Sequence, residues 1–353
     1  MDFSVFSQKK ILVTGHTGFK GSWLYSFLKL LGANVYGISL PPVSSGIFST
    51  LGLEGEKNSH YIDILNKESL EETILRINPD VCFHLAAQSL VLNSYIDPMN
   101  SYQTNIVGTL NLFHALSKCS NIKAIITITT DKVYQENFNG FPHVESDPLG
   151  GGMDPYSTSK SAVEMIIKSW REVHRIGDRD VKIVAARSGN VIGGGDVSKN
   201  RLIPDLIYAL KNNSICDIRN PDHIRPWQHV LDPVFGYLLI AEKTLRNVEI
   251  SGEFNFGPTP NKKVTVRDVA EMTCLFWGGG GEKRVHYPEL KTGVHETAEL
   301  SLNSTRAHNE LSWNPLLDIE KSVKWTIDWE IKSNKLNSSE VTLMQIHDYL
   351  GLL

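Results

Sequence analysis

The chain has 353 residues, of which 41% are hydrophobic and 21% charged, with a formal net charge of -4. That length allows roughly two domains at ~150 residues each, and that balance excludes an intrinsically disordered chain. A net negative charge supplies no basic field for nucleic acid, and no apolar run approaches the ~20 residues of a membrane span.

In chain order, "KILVTG" reads as a strand and "GSWLYSFLKLLGA" as a helix, with Gly32 suited to its C-terminal cap. "NVYGISL" and "SHYIDI" are the next strands, followed by a helix over "KESLEETILRI". "VCFHLAA" is a fourth strand, leading to a helix near "SYQTNIVGTLNLFHALSKC". "AIITI" opens a fifth, fully buried strand that ends in the polar run Thr129, Thr130, Asp131, Lys132. A helix over "YSTSKSAVEMIIKSWREVH" and a sixth strand, "VKIVAARSG", complete the series. Strands alternating with helices predict an α/β fold: a doubly wound, parallel, Rossmann-type sheet covered on both faces.

After about Arg187 the rhythm breaks, loops lengthen and prolines appear. The expected division is a dinucleotide-type domain over residues 1–187 and a smaller, interleaved C-terminal substrate domain over 188–353. Residues 228–258, which contain "HVLDPVFGYLLIAEKTL" and "GEFNFGP", are expected to return to the first sheet. The N-terminal "MDFSVFSQKKILVTG" has neither the apolar stretch nor the cleavage site of a signal peptide. Cys82, Cys119, Cys216 and Cys274 are scattered, with no CxxC and no Cys/His spacing suited to zinc. Free thiols in a reducing cytoplasm, and no metal site, are the expectation.

Two motifs carry chemistry. In "VTGHTGFKGSWL", Gly15, Gly18 and Gly21 recur every third residue at a strand-to-helix turn. Glycine there admits the backbone to a pyrophosphate, and the helix N-terminus stabilises the anion. The end of the second strand offers Ser39, with neither the carboxylate that would hold a ribose nor an arginine for a 2′-phosphate, so this position does not choose between NAD and NADP. In "DPYSTSKSAVE", Tyr156 and Lys160 share a helix face at i, i+4. An ammonium beside a phenol lowers its pKa from ~10 and makes it a base for a sugar hydroxyl. Strand ends point at the ligand crevice of such sheets, which gives Thr130, Asp131 and Lys132 a reason to be polar. Thr130 suits a hydrogen bond to the reacting hydroxyl, and Asp131 and Lys132 suit acid and base work.

With "FHLAAQSLV", "RSGNVIGGGD", "RPWQHVLDP" and "LSWNP", these motifs resemble the extended short-chain dehydrogenase/reductase superfamily over nearly the whole chain. Within it the chain is similar to the nucleotide-sugar 4,6-dehydratases. "GHTGFKGSW", "TTDKVY" and "RPWQHV" point to the branch that acts on CDP-hexoses. The resemblance implies NAD as the cofactor, held by Gly15, Thr17, Gly18, Phe19, Gly21, Asp63, Ile64, Leu85, Ala86, Ala87, Thr104, Tyr156 and Lys160. It implies oxidation at carbon 4 with Tyr156 as base, loss of water across carbons 5 and 6 with Asp131 as acid, and hydride return to carbon 6. Lys132 stands where other dehydratases carry a glutamate, the carbon 5 base; it fits that role only with a lowered pKa, and otherwise fits stabilising the enolate or holding Asp131 ionised. As substrate contacts the reading takes Gln88, Asn190, Arg201, Arg219, Arg225 and Tyr287, arginine forks being suited to phosphates. His295 and Glu296 match the branch without a physical role. The resemblance also implies a homodimer or homotetramer built on the helix carrying Tyr156.

Two other functions fit parts of this pattern. A nucleotide-sugar 4-epimerase shares the glycine loop, Tyr156 and Lys160, but needs no acid for a carbon 6 hydroxyl. A non-catalytic nucleotide sensor on the same fold would carry a damaged tyrosine, lysine or loop, and all three are intact here.

Overall fold

Runs of branched and aromatic residues only a few positions long, each followed by a longer amphipathic run, produce eleven strands among the described residues of the computed structural model. It describes residues 3–136, 140–176, 180–259, 263–280, 284–288 and 297–353. The strands are β1 (Lys10–Thr14), β2 (Asn34–Ser39), β3 (Ser59–Tyr61), β4 (Val81–His84), β5 (Ala124–Ile128), β6 (Lys182–Ser188), β7 (Val191–Ile192), β8 (Cys216–Asp217), β9 (Gln228–His229), β10 (Gly252–Phe256) and β11 (Val285–His286). Seven of them form one sheet in the order β10-β6-β5-β4-β1-β2-β3, and every pairing in it is parallel. The two-residue strands pair separately as β7 with β9 and β8 with β11.

Side chains leave a strand alternately to its two faces, so one buried strand feeds two cores. Ile11 and Val13 of β1 enter a core with Trp23 and Leu24 of the helix Phe19–Leu30 and with the helix Leu231–Leu245. Leu12, between them, enters the opposite core with Leu70, Phe113 and Val163, from the helices Lys67–Ile77, Gly108–Ser117 and Pro155–Ile176. The sheet is thus doubly wound. From β1 the chain builds outward through β2 and β3, then returns to lay β4 on the other side of β1. That reversal opens a crevice at the carboxyl ends of β1 and β4, where such sheets bind ligands.

A smaller unit packs the helices Leu202–Lys211, Val266–Trp277 and Ile319–Lys332 around Ile203, Ile207, Val269, Val323 and Ile327. The chain passes between the two units more than once. β10 pairs with β6, which adds residues 252–256 to the large sheet. The last helix, Ser338–Leu350, buries Val341, Ile346 and Tyr349 in the same core as Trp23. It is pinned there by the Tyr349 hydroxyl, which donates to Asp232 Oδ1 at 2.8 Å. Asp232 is fully buried, and burial raises its carboxyl to about 7.

The four cysteines are buried and free. Among the described residues no helix is long and apolar enough to cross a membrane, and no His/Cys/Asp/Glu group could hold a metal ion. His295 and Glu296 lie outside the described residues.

Candidate active site

The turn out of β1 is shaped by what a side chain would hit. Gly15 adopts φ +73°, and a Cβ on it would stand 2.7 Å from the backbone nitrogen of Ala86. A Cβ on Gly21 would stand 2.1 Å from the Gly15 carbonyl oxygen. Only glycine lets the loop lie against both the end of β4 and the first turn of the helix. Gly18 caps that helix without a side-chain hydrogen bond, so the first amide groups remain available to an anion.

A cavity of about 710 Å³ runs from this loop past the ends of β4, β5 and β6 to the smaller unit. On one side it is lined by Thr17, Phe19, Asp63, Ile64, Leu85, Ala86, Ala87 and Thr104. Local packing sets these positions. A Cβ on Gly108 would stand 2.4 Å from Ile64 Cδ1, and Asn111 donates to the Ile64 carbonyl at 3.1 Å. His84, at the end of β4, is hydrogen-bonded to Thr14 at 2.7 Å and to Thr109 at 2.9 Å. Burial pushes its pKa down to about 3, so it stays neutral.

The centre of the cavity brings together Thr130, Asp131, Lys132, Tyr156 and Lys160. Thr130 caps a short turn, Asp131–Val133, that redirects the chain after β5. Its hydroxyl donates to Asp131 Oδ1 at 2.9 Å. The second carboxylate oxygen, Oδ2, is buried and has no hydrogen-bond partner among the described residues. A Cβ on Gly189 would stand 2.9 Å from that oxygen, so the glycine makes room for it. A buried acceptor left unsatisfied by the protein is costly, and a ligand hydroxyl would satisfy it. Lys132 lines the cavity and forms no ion pair among the described residues, not even with its neighbour Asp131.

Tyr156 is 8% exposed, and burial raises its phenol to about 12, with the Thr130 hydroxyl acting in the opposite direction. The protein's own groups therefore keep the phenol protonated: Arg201, rather than the expected Lys160, is the cation that opposes burial, and it does not outweigh it. Lys160 Nζ donates to the Ile128 carbonyl at 3.1 Å. Burial brings its pKa down to about 8, and Glu164 opposes that shift.

The profile of the NAD dependent epimerase/dehydratase family matches residues 11–284. The chain belongs to the NAD dependent epimerase/dehydratase family. It is 36% identical to the CDP-glucose 4,6-dehydratase of Salmonella typhimurium over 99% of each chain. It is 29% identical to the UDP-glucose 4-epimerase of Mycoplasma pneumoniae over 71% of this chain and 77% of that one. In fold it is similar to the dTDP-glucose 4,6-dehydratase of Bacillus anthracis solved in complex with NAD, with a TM-score of 0.75, 23% identity, and 93% of this chain and 98% of that chain covered.

An NAD dependent family member needs a cradle for the dinucleotide, and the residues present fit one. The glycine loop leaves no Cβ between backbone and pyrophosphate. At the end of β2 Ser39 stands hydrogen-bonded to Thr17 Oγ1 at 2.9 Å and to His16 Nδ1 at 3.1 Å, a cluster without a charge to reject or require a 2′-phosphate.

The residues read as substrate contacts divide. Asn190, Arg201, Arg219 and Arg225 line the smaller unit's side of the cavity. Arg201 donates to Asp196 Oδ2 at 3.1 Å, and Arg219 to the Asn200 carbonyl at 3.2 Å. Arg225 is 6% exposed and donates to the Ile224 carbonyl at 2.9 Å. Gln88 borders the cavity, but its amide is turned to the protein: it donates to Ser101 Oγ at 2.8 Å and accepts from the Leu90 amide at 2.6 Å. Tyr287 is not among the lining residues. Its ring packs under the Arg267 guanidinium, 4.1 Å from ring centre to Cζ.

Two further groups stand beside the reacting residues: Lys20, which from sequence fitted a phosphate contact or a solvated helix start equally, and Glu164, which was given no role. Lys20 Nζ donates to Ser188 Oγ at 2.8 Å in the cavity wall, where burial, with Arg201 and Lys160 nearby, draws its pKa down to about 7. Glu164 pairs with Arg187 beneath the tyrosine and lysine. The available signal for Glu164 was its spacing, a further i+4 beyond Lys160 on the same helix face.

Proposed function

We propose that the protein converts CDP-glucose to CDP-4-keto-6-deoxyglucose and water, as an NAD-dependent 4,6-dehydratase. The observation that carries this reading is the buried Asp131 carboxylate, half satisfied by Thr130 and open on its other oxygen, beside Tyr156. Oxidation at carbon 4 alone needs a tyrosine and a lysine. Expelling the carbon 6 hydroxyl needs a separate acid, and an epimerase has no use for one. The 36% identity to the Salmonella enzyme over 99% of each chain supports the CDP nucleotide.

When bound, NAD supplies a reversible hydride acceptor. The chain's own residues handle protons and position. Tyr156 takes the proton of the carbon 4 hydroxyl as its anion, which burial disfavours and which Lys160 together with the positive charge of bound oxidised NAD would favour. Asp131 gives a proton to the departing carbon 6 hydroxyl. Lys132, free of ion pairs among the described residues, takes the carbon 5 proton as a neutral amine while the carbon 6 hydroxyl leaves as water with the proton from Asp131. Asn190, Arg201, Arg219 and Arg225 hold the nucleotide diphosphate, Arg225 from the most buried position of the four. The enzyme works in the cytoplasm, a placement supported by its free, buried cysteines. It assembles as a homodimer or homotetramer. In support, Ile96, Met99, Met165 and Val173 are 83%, 62%, 66% and 55% exposed on the helices around residues 91–107 and on the helix carrying Tyr156. Light scattering on the eluting protein tests this, and a monomer at micromolar concentration would refute it.

The test of function is parallel incubation with CDP-, dTDP-, UDP- and GDP-glucose, read by the alkali-induced ultraviolet absorbance of a 4-keto-6-deoxy product. CDP-glucose is expected to turn over preferentially. Preference for dTDP-glucose would overturn the nucleotide assignment, and inversion at carbon 4 without the absorbance would overturn the dehydratase.

A further inference from the structure

The helix of Tyr156 and Lys160 carries a third ionisable residue on the same face, and the reaction above leaves it unused. Glu164 and Arg187 are both fully buried. Glu164 Oε1 accepts from the Thr129 hydroxyl at 2.6 Å and from Arg187 Nε at 2.9 Å, while Oε2 accepts from a second Arg187 nitrogen at 2.9 Å. Arg187 also donates to the Tyr134 hydroxyl at 2.8 Å, which donates to Asn255 Oδ1 at 2.6 Å. One carboxylate therefore joins the helix to the end of β5, to β6 and, through Tyr134, to β10.

These bonds bracket the reacting residues. Lys160 holds the Ile128 carbonyl at 3.1 Å, Glu164 holds Thr129 at 2.6 Å, and Ser161 Oγ donates to the Val133 carbonyl at 2.7 Å. Thr130, Asp131 and Lys132 lie between the clamped positions. We infer that Glu164 is a positioning residue for this site. Through Thr129 and Arg187 it fixes the Thr130–Lys132 turn opposite Tyr156, and its charge keeps Lys160 an ammonium.

A purely structural role would not call for charge, since replacing a buried ion pair with apolar groups is often neutral or stabilising. Lys160 interacts with Glu164 on its own helix, Lys20 on the first helix and His84 on β4, while Tyr156 and Asp131 line the same cavity and Arg187 on β6 is paired with Glu164. Lys20 opposes a charged Lys160 and His84 is neutral, so the anions must hold it. Glu164 is the one that raises the pKa of Lys160 against burial.

The inference rests on the reading of Tyr156 and Lys160 as the oxidation pair, so Tyr156→Phe is measured alongside. Glu164→Gln is expected to lower kcat about tenfold or more with KM within about threefold, and to move the alkaline limb of the kcat/KM profile down by about one pH unit. Thr129→Val, which breaks the strand link and keeps the charge, is expected to lower kcat with the limb in place. A limb moved by Thr129→Val would overturn the assignment of that limb to the carboxylate. If Glu164→Gln does not fold, Glu164→Gln/Arg187→Gln removes both charges and is expected to lower kcat likewise with a smaller downward shift of the limb, because the cation facing the carboxylate goes with it. Parental kinetics in either folded Glu164 variant, or a kcat loss with an unmoved limb, overturns the inference. Tyr156→Phe with parental turnover overturns the site reading itself and the inference with it.

Discussion

Replacing Gly21 with alanine tests the phosphate loop by the narrowest possible change, one methyl group. That methyl carbon would stand 2.1 Å from the Gly15 carbonyl oxygen, 2.8 Å from the Gly15 carbonyl carbon and 2.8 Å from His16 Cα. Close carbon–oxygen contacts settle near about 3.3 Å, so an overlap of about 1 Å must be relieved. The helix cannot retreat, because Trp23 and Leu24, two and three residues on, are fully buried. The loop must give instead, and that loop is the cradle. Overpacking of this kind costs about 1–3 kcal/mol, offset by up to about 1 kcal/mol from the better helix former. Displacing the loop by the same energy weakens dinucleotide binding about five- to hundredfold, at about 1.4 kcal/mol per factor of ten. A methyl on Gly18 meets no protein atom nearer than 3.3 Å, so Gly18→Ala is expected to cost less than about 0.5 kcal/mol of stability. Titration of NAD into the folded variants, with denaturant melts beside it, measures both quantities. Gly21→Ala that binds NAD within about twofold of the parent would refute the reasoning.

Asp131→Asn keeps shape and removes the proton, and is expected to lower kcat by about 10²–10⁴ with KM within a few fold, measured by product absorbance. Arg225→Ala is expected to act the other way, raising KM for CDP-glucose at least about tenfold, because its loss weakens ground state and transition state alike. Asp232 makes stability depend on pH. Its folded pKa, about 7, is raised above the unfolded value, so its contribution is full below about pH 4 and is lost as pH rises through about 7. The difference in melting temperature between Asp232→Asn and the parent is therefore expected to grow in favour of the variant from pH 5 to pH 8. A constant difference would show that Asp232 does not titrate in that window.

What the sequence showed followed from how local each signal was. β5 was legible because five buried residues run unbroken into charge, and charge at the end of a central strand has few structural uses. The glycine loop was legible because its three residues are adjacent in sequence and in space. Gln88 borders the cavity, but its amide is taken by the nearby Leu90 and by Ser101, thirteen residues on, which composition does not advertise. Tyr287 shows the same ambiguity: an aromatic ring serves a ligand pocket and an arginine equally well, and here the Arg267 guanidinium lies over it. The Glu164–Arg187 pair joins residues 23 apart on a helix and a strand, so each alone looked like an ordinary charge.

The last helix has a consequence for how the protein is made. The core beneath Trp23 and Leu24 is completed by Val341, Ile346 and Tyr349, and the sheet edge at β6 by residues 252–256. A ribosome that has finished the glycine loop, the tyrosine and the lysine has produced every group proposed to react and still lacks the residues that close the layer behind them. During synthesis the nascent chain carries that apolar face bare until the helix Leu231–Leu245 is made, and part of it until Val341, more than 300 residues after Trp23. Exposed surface of that kind is what chaperones bind and what drives aggregation when synthesis stalls. The enzyme's chemistry is encoded early in the chain, and the decision to let it stand is encoded at the end.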